Sequence, residues 1–367
     1  MFLGIFGLWM ILGSNRQIYF WSGFFVGIFW FYWMSFSLIY FDFAYLIPIE
    51  ILGIGLVYGL IFWFCGFWQN QIWQTIMLFL VSFIHPFGFN WLNFALFFVN
   101  TPFAPSFWTL GGVILAVSLM KQNIKFGGIL LCFVLVFSFF TKNTNPQFLP
   151  FEVKLIQGQT DQLVKWKNEE RNNLIHENIA QIYEANSQNA GFIVFPETAF
   201  PMYLNKMPDL IQILQRLSYQ TPIITGSLAY ENGKSYNSAY LFDQGQMSRF
   251  DKVVLVPFGE EIPLPKTLQI WINKIFFDGA SDFSAAKEPS DYEINGIKIR
   301  NAICYEATRY EIYKDNPQFV VAISNNAWFK PSTEPVLQKL LMKYYAYNYR
   351  TTIYHAANGS ESEIITP

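Results

Sequence analysis

Charged side chains are distributed very unevenly along the chain, and this distribution restricts the possible folds more than any other feature. Residues 1–140 contain five charged residues, whereas residues 141–367 contain the other 45. Charges inside a bilayer are costly, so a long segment that almost lacks them is typical of membrane helices. The sequence therefore predicts a transmembrane helical domain over 1–140, followed by a part of the chain that faces water.

Apolar stretches divide the first 140 residues into candidate helices. Crossing a bilayer takes about 20 apolar residues, so the first two stretches qualify by length and the later ones qualify when their polar flanks are included. The segment 1–12 is too short to cross and is interpreted as a partial helix. The pattern predicts a multi-helix transmembrane bundle, with helices near residues 18–40, 45–67, 72–84, 107–120 and 124–140.

The few positive charges of this region indicate an orientation. Arg16 lies in one connecting loop, and Lys121 and Lys125 lie in another. Cytoplasmic loops carry an excess of Lys and Arg, so both loops are expected on the cytoplasmic side. The chain after residue 140 then emerges on the outer side, provided that the stretch 85–106, rich in Pro and aromatic residues, is a loop or a re-entrant element.

The pattern changes at TKNTNPQFLP, residues 141–150, which is polar, contains two prolines and is predicted to be a linker. Short apolar runs and amphipathic segments follow, which predicts a layered α/β domain over 151–367. Several runs are almost continuously apolar, as strands covered on both faces are. The strand candidates are VKLIQGQ, GFIVFPE, PIITGSLAY, SAYLFD, KVVLVPFGE, IKIRNAICYE and FVVAISNNAWF, and the helix candidates cover 169–184, 210–217 and 334–349.

Three predicted strands carry reactive side chains at their ends. Cys304 ends the run IKIRNAIC, and Glu197 directly follows the run FIVFP. Lys252 stands at the start of KVVLV, and Glu260 stands just past its end. Strand ends can present side chains to a common cleft, so we expect these groups to converge at one side of a sheet.

Such a group of side chains has a chemical use. A thiol must lose its proton before it attacks a carbonyl, and a neighbouring carboxylate can accept that proton. The negative oxygen of the resulting tetrahedral intermediate can be stabilised by an ammonium group and a backbone N–H. Glu197, Lys252 and Cys304 would supply base, oxyanion partner and nucleophile. The alternative is a buried ion pair between Glu197 and Lys252 beside an inert cysteine.

The motifs FPETAFP, DKVVLVPFGEEIP and ICYE, in this order, resemble the Glu, Lys and Cys motifs of the nitrilase superfamily. Following a block of membrane helices, they resemble one branch in particular, the bacterial apolipoprotein N-acyltransferases. The resemblance extends over most of the chain and includes GFNWLNF in the loop 85–106, IQGQ with KW at 156–166, YNSAYLF from 236 and AISNNAWF from 322.

The resemblance implies an αββα nitrilase-like sandwich domain on the outer, periplasmic face of the bacterial cytoplasmic (inner) membrane. It implies transfer of a fatty acyl chain from a phospholipid, with phosphatidylethanolamine as the expected donor, through a thioester on Cys304. The acceptor would be the α-amine of the N-terminal diacylglyceryl-cysteine of an apolipoprotein. The partners are then the phospholipid, the apolipoprotein and the lipid bilayer, and no cofactor is implied.

The resemblance also assigns roles by motif position. Glu197 is the expected base, Lys252 the oxyanion partner and Cys304 the nucleophile. Glu260 would orient or assist the amine, and the residues after the nucleophile, Tyr305 and Glu306, would support it, with the Tyr305 N–H as an oxyanion donor. Trp166 and Asn237 match residues that contact substrate or support the site. A mobile lid that dips toward lipid is predicted around Trp271, Ile275, Phe276 and Phe277.

Other functions stay open at this stage. The sequence ends at NGSESEIITP, where members of the branch continue with further strands and a final membrane helix, so a truncated inactive homologue is one alternative. A membrane-tethered amidase of the nitrilase superfamily, with water as acceptor, is another. A metal site is not expected, because His85, His176 and His355 are scattered along the chain. Nucleic acid is not expected as a partner either, because there is no basic patch.

Overall fold

A computed structural model describes residues 2–142, 145–267, 269 and 282–367. The chain forms two compact units, Met1–Asn145 with Ser332–Asn348, and Pro146–Pro331 with Tyr349–Pro367. The predicted lid residues Trp271, Ile275, Phe276 and Phe277 lie outside the described residues.

The first unit is helical. Its N-terminal part contains α1 (Phe2–Ile11), α2 (Arg16–Phe31), α3 (Ile47–Cys65), α4 (Gln71–Leu80), α5 (Phe107–Gln122) and α6 (Ile124–Thr141). Among the described residues, three helical segments are long and apolar enough to cross a membrane, namely Arg16–Phe41, Ala44–Cys65 and Ile124–Thr141. The first of these continues from α2 into a 3₁₀ helix, and the stretch 85–106 contains the short 3₁₀ helices Pro86–Gly88 and Phe94–Phe98.

Glycines bring α2 and α3 into close contact. A Cβ atom added to Gly23 would lie 2.4 Å from the Tyr58 main-chain oxygen, and one added to Gly27 would lie 2.9 Å from the Ile54 oxygen. Glycines four residues apart form a stripe without side chains, and such stripes let membrane helices pack backbone against backbone.

The second unit is built on two sheets. Its strands are β1 (Val153–Leu155), β2 (Phe192–Val194), β3 (Phe200–Tyr203), β4 (Ile223–Glu231), β5 (Lys234–Asp243), β6 (Gln246–Asp251), β7 (Asp291–Ile294), β8 (Ile297–Ile303), β9 (Phe319–Asn325), β10 (Thr352–Asn358) and β11 (Glu363–Ile365). The first sheet has the order β1-β2-β4-β5-β6 with β3 beside β4, and the second has the order β11-β10-β9-β8-β7.

Helices connect and flank these strands. Their bounds are α7 (Gln162–Lys165), α8 (Asn168–Ser187), α9 (Pro208–Leu217), α10 (Tyr310–Tyr313) and α11 (Glu334–Tyr349). Nearly all of α11 belongs to the first unit, although the strands before and after it belong to the second.

Strand β2 is apolar at every position because both of its faces are buried. Phe192 and Val194 pack with residues of β8 and β9, such as Ile303 and Val321, in the core between the two sheets. Ile193 packs on the opposite face, in a core that includes residues of α8 and α9. Successive side chains of a strand point to opposite faces, so a strand covered on both sides needs apolar residues at every position. The predicted fold class, a membrane bundle followed by a nitrilase-like α/β domain, is confirmed.

The predicted strand KVVLVPFGE is wrong. The strand is β6, which ends at Asp251, and residues 252–264 are irregular apart from an isolated bridge between Pro257 and Glu261. Its backbone N–H groups bond to carboxylates, as those of Val253 and Val254 do to Glu306. Apolar content alone does not distinguish such a segment from a buried strand.

Candidate active site

The three residues expected at strand ends lie at ends of three strands of the second unit. Glu197 stands in the turn after β2, Lys252 directly follows β6 and Cys304 directly follows β8. The first two belong to one sheet and Cys304 to the other. Glu197 is 7% exposed and Lys252 is 1% exposed, so both charges are removed from bulk water.

An asparagine connects two carboxylates beside Lys252. The Asn237 side-chain nitrogen donates to Glu197 Oε1 at 2.7 Å and to Glu260 Oε1 at 2.8 Å. Lys252 Nζ lies 2.7 Å from Glu260 Oε2 and 4.0 Å from Glu197 Oε1. The ammonium group is therefore paired tightly with Glu260 and loosely with Glu197. The contacts of Glu197 with Asn237 and Lys252 both involve Oε1 and not Oε2.

The ammonium group of Lys252 is held in its charged form. Burial acts to lower its pKa, but the charges of Glu260 and Glu197 oppose burial, and the net pKa lies above the ordinary value. Cys304 acts on the pKa of Lys252 in the same direction as these carboxylates. A permanently charged donor next to a thiol can stabilise negative charge that develops during a reaction there.

Glu306 connects the segment after Lys252 to the strand before Cys304. One of its oxygens accepts the N–H groups of Val253 at 2.5 Å and Val254 at 2.9 Å. The other accepts the N–H of Ile303 at 2.7 Å. Because Val253 follows Lys252 and Ile303 precedes Cys304, one carboxylate fixes the backbone next to both residues.

Glu306 is 1% exposed, and burial raises its pKa to about 7, although Lys252 and the three backbone donors favour the ionised form. Two donors reach one oxygen of Glu306 and one donor reaches the other, so all three hydrogen bonds use acceptor sites that the carboxyl group offers. We call this carboxyl group with its three backbone donors the brace.

Cys304 has an unusual backbone conformation. Its φ is 55°, in the left-handed region that non-glycine residues seldom adopt, and it begins a 3₁₀ helix that runs to Thr308. Such conformations cost free energy and persist where the surroundings enforce them. The chain changes sharply from strand to helix at this residue, and the Cys304 side chain is partly exposed while it packs against the core between the two sheets.

The remaining predicted residues fall into two groups. Asn237, Glu260 and Glu306 are linked to the ion pair or to its backbone, as described above. Tyr305 is buried at 3% exposure, and its hydroxyl accepts a hydrogen bond from Arg309 at 3.0 Å. Trp166 is 42% exposed at the end of α7, and no recorded hydrogen bond among the described residues joins it to Glu197 or Lys252. Its role stays a prediction.

Sequence reasoning missed a second buried lysine. Lys165 is 2% exposed, and its Nζ donates to the main-chain oxygen of Glu197 at 3.2 Å. Burial lowers the pKa of Lys165 to about 7, although the Glu197 charge acts in the opposite direction. It lies next to Trp166 in the KW pair, but a lysine in a polar stretch is normally solvated, so only the fold reveals its position.

Over residues 2–142, 145–267, 269 and 282–367, no three His, Cys, Asp or Glu side chains are grouped so that they could hold a metal ion. The chemistry available to the described site is that of a thiol, carboxylates and ammonium groups.

Comparison with known proteins identifies the family. Residues 1–141 match the apolipoprotein N-acyltransferase integral membrane domain, and residues 153–361 match the carbon-nitrogen hydrolase family. The apolipoprotein N-acyltransferase of Wolinella succinogenes is 44% identical over 370 residues, which cover 100% of this chain and 89% of that protein. The chain belongs to the apolipoprotein N-acyltransferase family.

A second relative, the apolipoprotein N-acyltransferase of Campylobacter jejuni, is 39% identical over 100% of this chain and 83% of its own length. A solved structure of a CN-hydrolase superfamily protein from Xanthomonas campestris aligns with 60% of this chain and 83% of its own at a TM-score of 0.44 and 15% identity. The predicted resemblance to the apolipoprotein N-acyltransferase family is confirmed. With its apolar helices and membrane-domain match, this member of the family is a membrane protein.

Proposed function

We propose that this chain is an apolipoprotein N-acyltransferase that uses Cys304 as nucleophile, Glu197 as base and Lys252 as oxyanion partner. The observation that carries the proposal is the connection of these three residues. Lys252 pairs with Glu260 and lies 4.0 Å from Glu197, and Asn237 bridges these two carboxylates. Glu306 joins the backbone after Lys252 to the backbone before Cys304. Family membership supplies the reaction class, and the names of the relatives support lipoprotein as the acceptor.

The first half-reaction acylates the cysteine. Glu197 accepts the thiol proton, and the sulfur of Cys304 attacks an ester carbonyl of a phospholipid, for which phosphatidylethanolamine is the proposed donor. The oxygen of the tetrahedral intermediate becomes negative and is stabilised by the Lys252 ammonium and the Tyr305 N–H. When the intermediate collapses, the carbon–oxygen ester bond breaks, Glu197 returns the proton to the leaving oxygen, and a lysophospholipid departs from a thioester.

The second half-reaction transfers the acyl chain. The α-amine of an N-terminal diacylglyceryl-cysteine attacks the thioester carbonyl and loses a proton to Glu197, while Glu260 orients the amine. The carbon–sulfur bond then breaks, and the thiolate of Cys304 regains a proton. Because the first product leaves before the second substrate reacts, the proposal predicts ping-pong kinetics.

Trp166 and the apolar surroundings of the site are proposed to contact the acyl chain. The indole of Trp166 is partly exposed, so it is available to a ligand. A lipid-binding site is expected to be mostly apolar with a few placed polar groups.

The contacts of Lys121 support a location in the bacterial cytoplasmic (inner) membrane with the hydrolase-like unit on the periplasmic face. Lys121, in the last turn of α5, donates to the main-chain oxygen of Leu12, so the connection between α1 and α2 lies at the same end of the first unit as the connection between α5 and α6. The positive-inside tendency assigns that end, with Arg16, Lys121 and Lys125, to the cytoplasm. Helix α6 begins at this end, so a crossing by α6 brings the following chain to the periplasmic side.

Intact mass spectrometry of the purified full chain in detergent tests the proposal. After incubation with phosphatidylethanolamine, we expect a mass gain of one acyl chain that hydroxylamine removes and that Cys304→Ala does not show. Addition of a diacylglyceryl-cysteine peptide should then discharge the adduct and increase the mass of the peptide by one acyl chain.

Two results would contradict the proposal. A folded protein that forms no adduct with its thiol intact would exclude Cys304 as the acyl carrier. Release of free fatty acid or ammonia, without acyl transfer to the peptide, would indicate an amidase-like hydrolase instead.

A further inference from the structure

Lys165 contacts the backbone of Glu197, the proposed base. Its side chain extends inward from the C-terminal end of α7, and its ammonium donates to the main-chain oxygen of Glu197, not to the carboxylate. The Asp161 side chain caps the start of this short helix by accepting the N–H of Leu163 at 2.8 Å.

The segment that carries Lys165 is fixed by buried amides. The Gln162 side-chain oxygen accepts a hydrogen bond from Asn325 at 2.9 Å, and the Asn325 oxygen accepts one from Asn358 at 2.8 Å. Asn358 also bonds both backbone groups of Thr160 at 2.9 Å. These contacts join the segment to the ends of β9 and β10, so the ammonium acts from a fixed position.

The turn that carries Glu197 is confined on several sides. Thr198 has a φ of 49°, and a Cβ atom on Gly226 would lie 2.6 Å from the Glu197 Cα. Asn178 donates to the main-chain oxygen of Ala199 at 2.9 Å. Lys165 supplies a charged donor to the same turn, and a shift of about 1 Å in a reacting group can reduce a rate about 100-fold.

A buried ammonium group paired with a carbonyl oxygen is not expected to stabilise the folded chain. An apolar side chain of similar length avoids the cost of removing the charge from water, and such replacements are often neutral or stabilising. Lys165 also lines a cavity of about 350 Å³, together with Pro196, Ala199 and side chains of α8. Because Lys165 lies beside this cavity, dense packing around the side chain does not explain why the residue is a lysine.

We propose that Lys165 is a positioning residue for Glu197: its ammonium binds the main-chain carbonyl of Glu197 and so fixes where the carboxylate lies. This inference rests on the proposed role of Glu197 as base. The titratable groups that face Lys165 are Glu197 from the turn after β2 and Glu177 from α8, while β10 contributes the uncharged Asn358.

The test compares Lys165→Met, Lys165→Arg and the wild type with Lys167→Met, whose lysine is exposed two residues away. The rate of acyl-enzyme formation is measured between about pH 6 and about pH 9, and thermal midpoints are measured in the same detergent. We expect Lys165→Met to be about 10- to 100-fold slower with an unchanged or higher thermal midpoint. Because burial lowers the pKa of Lys165 to about 7, its ammonium is lost within this pH range, so the wild-type rate should show a change near pH 7 that Lys165→Met lacks.

Controls and a second readout keep the inference falsifiable. Lys165→Arg, which stays charged over the whole range, should restore part of the rate without the change near pH 7, and Lys167→Met should match the wild type. The inference is overturned if Lys165→Met keeps the wild-type rate, or if it is slower with the wild-type pH profile and a lower thermal midpoint, which marks a structural role.

If the wild type forms no acyl-enzyme, the proposed function fails, and alkylation of Cys304 by iodoacetamide decides the question of Lys165. Peptide mass mapping separates Cys304 from Cys65 and Cys132. A change near pH 7 in the rate of Cys304 alkylation that the wild type shows and Lys165→Met lacks supports the inference, and identical pH dependence in both proteins overturns it.

Discussion

The Glu306 carboxylate accepts the N–H of Val253 at 2.5 Å, across 53 positions of sequence, and holds the backbone beside Lys252 against the strand that leads to Cys304. The proposed oxyanion partner comes from one sheet and the proposed nucleophile from the other. Their separation therefore depends on this brace as well as on packing between the sheets.

Glu306→Gln tests the brace. The amide keeps the shape of the side chain but turns one acceptor into a donor, so at least one of the N–H groups of Val253, Val254 and Ile303 loses its partner. We expect acyl-enzyme formation to slow about 100-fold or more, and the free energy of unfolding to fall by about 1–3 kcal/mol for the unpaired buried group. Rates from intact mass spectrometry and denaturation curves in detergent measure both. Retention of the wild-type rate would show that the brace does not set the geometry.

Glu306 also predicts a pH dependence of stability. The ordinary pKa of a glutamate is 4.5, whereas burial raises the pKa of Glu306 to about 7 in the folded chain. The folded state binds more protons between these values, so the Glu306 contribution is complete below about pH 4.5 and is lost as the pH rises through about 7. The thermal midpoint of Glu306→Gln should therefore depend less on pH than that of the wild type in this window. Parallel curves would contradict this.

Asn237→Asp tests the link between the carboxylates. Asn237 donates to both Glu197 and Glu260, and an aspartate would place a third carboxylate against the other two. Like charges at this distance repel, so we expect the acyl-enzyme rate to fall about 100-fold or more. Asn232→Asp is a matched control, because Asn232 lies exposed in the turn of the same β4–β5 hairpin. Equal activity of the two variants would show that Asn237 has no role in the reaction.

Lys252→Met tests the ion pair. The variant leaves Glu197 and Glu260 buried without their cation, and breaking a buried pair in this way costs about 3–5 kcal/mol. Replacing Glu260 by Gln in the same chain removes one of the orphaned charges. The double variant should therefore have a higher thermal midpoint in detergent than Lys252→Met, while neither forms the acyl-enzyme at a wild-type rate. A double variant no more stable than the single one would show that Glu260 is not the main partner of Lys252.

The local sequence predicts where several strands end, but it does not predict the conformation of the segments that follow them. The run before Glu197 is apolar throughout, whereas the run before Cys304 begins with isoleucines that alternate with Lys298 and Arg300. Both strands form where the pattern predicts them. The segment after Lys252 is apolar like the run before Glu197 without forming a strand, because Glu306 and Glu260 take backbone N–H groups there. Contacts that distant carboxylates make with the backbone leave no periodic signal in the sequence.

The same reason explains Lys165 and Asn237. A lysine in a polar stretch predicts solvent exposure, and the contact of Lys165 with Glu197 spans 32 positions. Asn237 matches the family by motif, but its hydrogen bonds to two of the proposed site carboxylates are visible only in the fold. Long-range side-chain contacts require the fold, whereas the nucleophile and base follow from the motifs.

Gly23→Ala tests the close packing of α2 and α3. A Cβ atom at Gly23 would lie 2.4 Å from the Tyr58 oxygen and 2.5 Å from the Phe62 Cβ, so the helices must separate. Overpacking of this kind costs about 1–3 kcal/mol. The same substitution at Gly53, where a Cβ atom meets nothing within 4 Å, should be neutral or stabilise the helix by up to about 1 kcal/mol. Thermal midpoints in detergent distinguish the two sites, and an equal effect of both alanines would show that helix propensity, not contact between the helices, governs stability here.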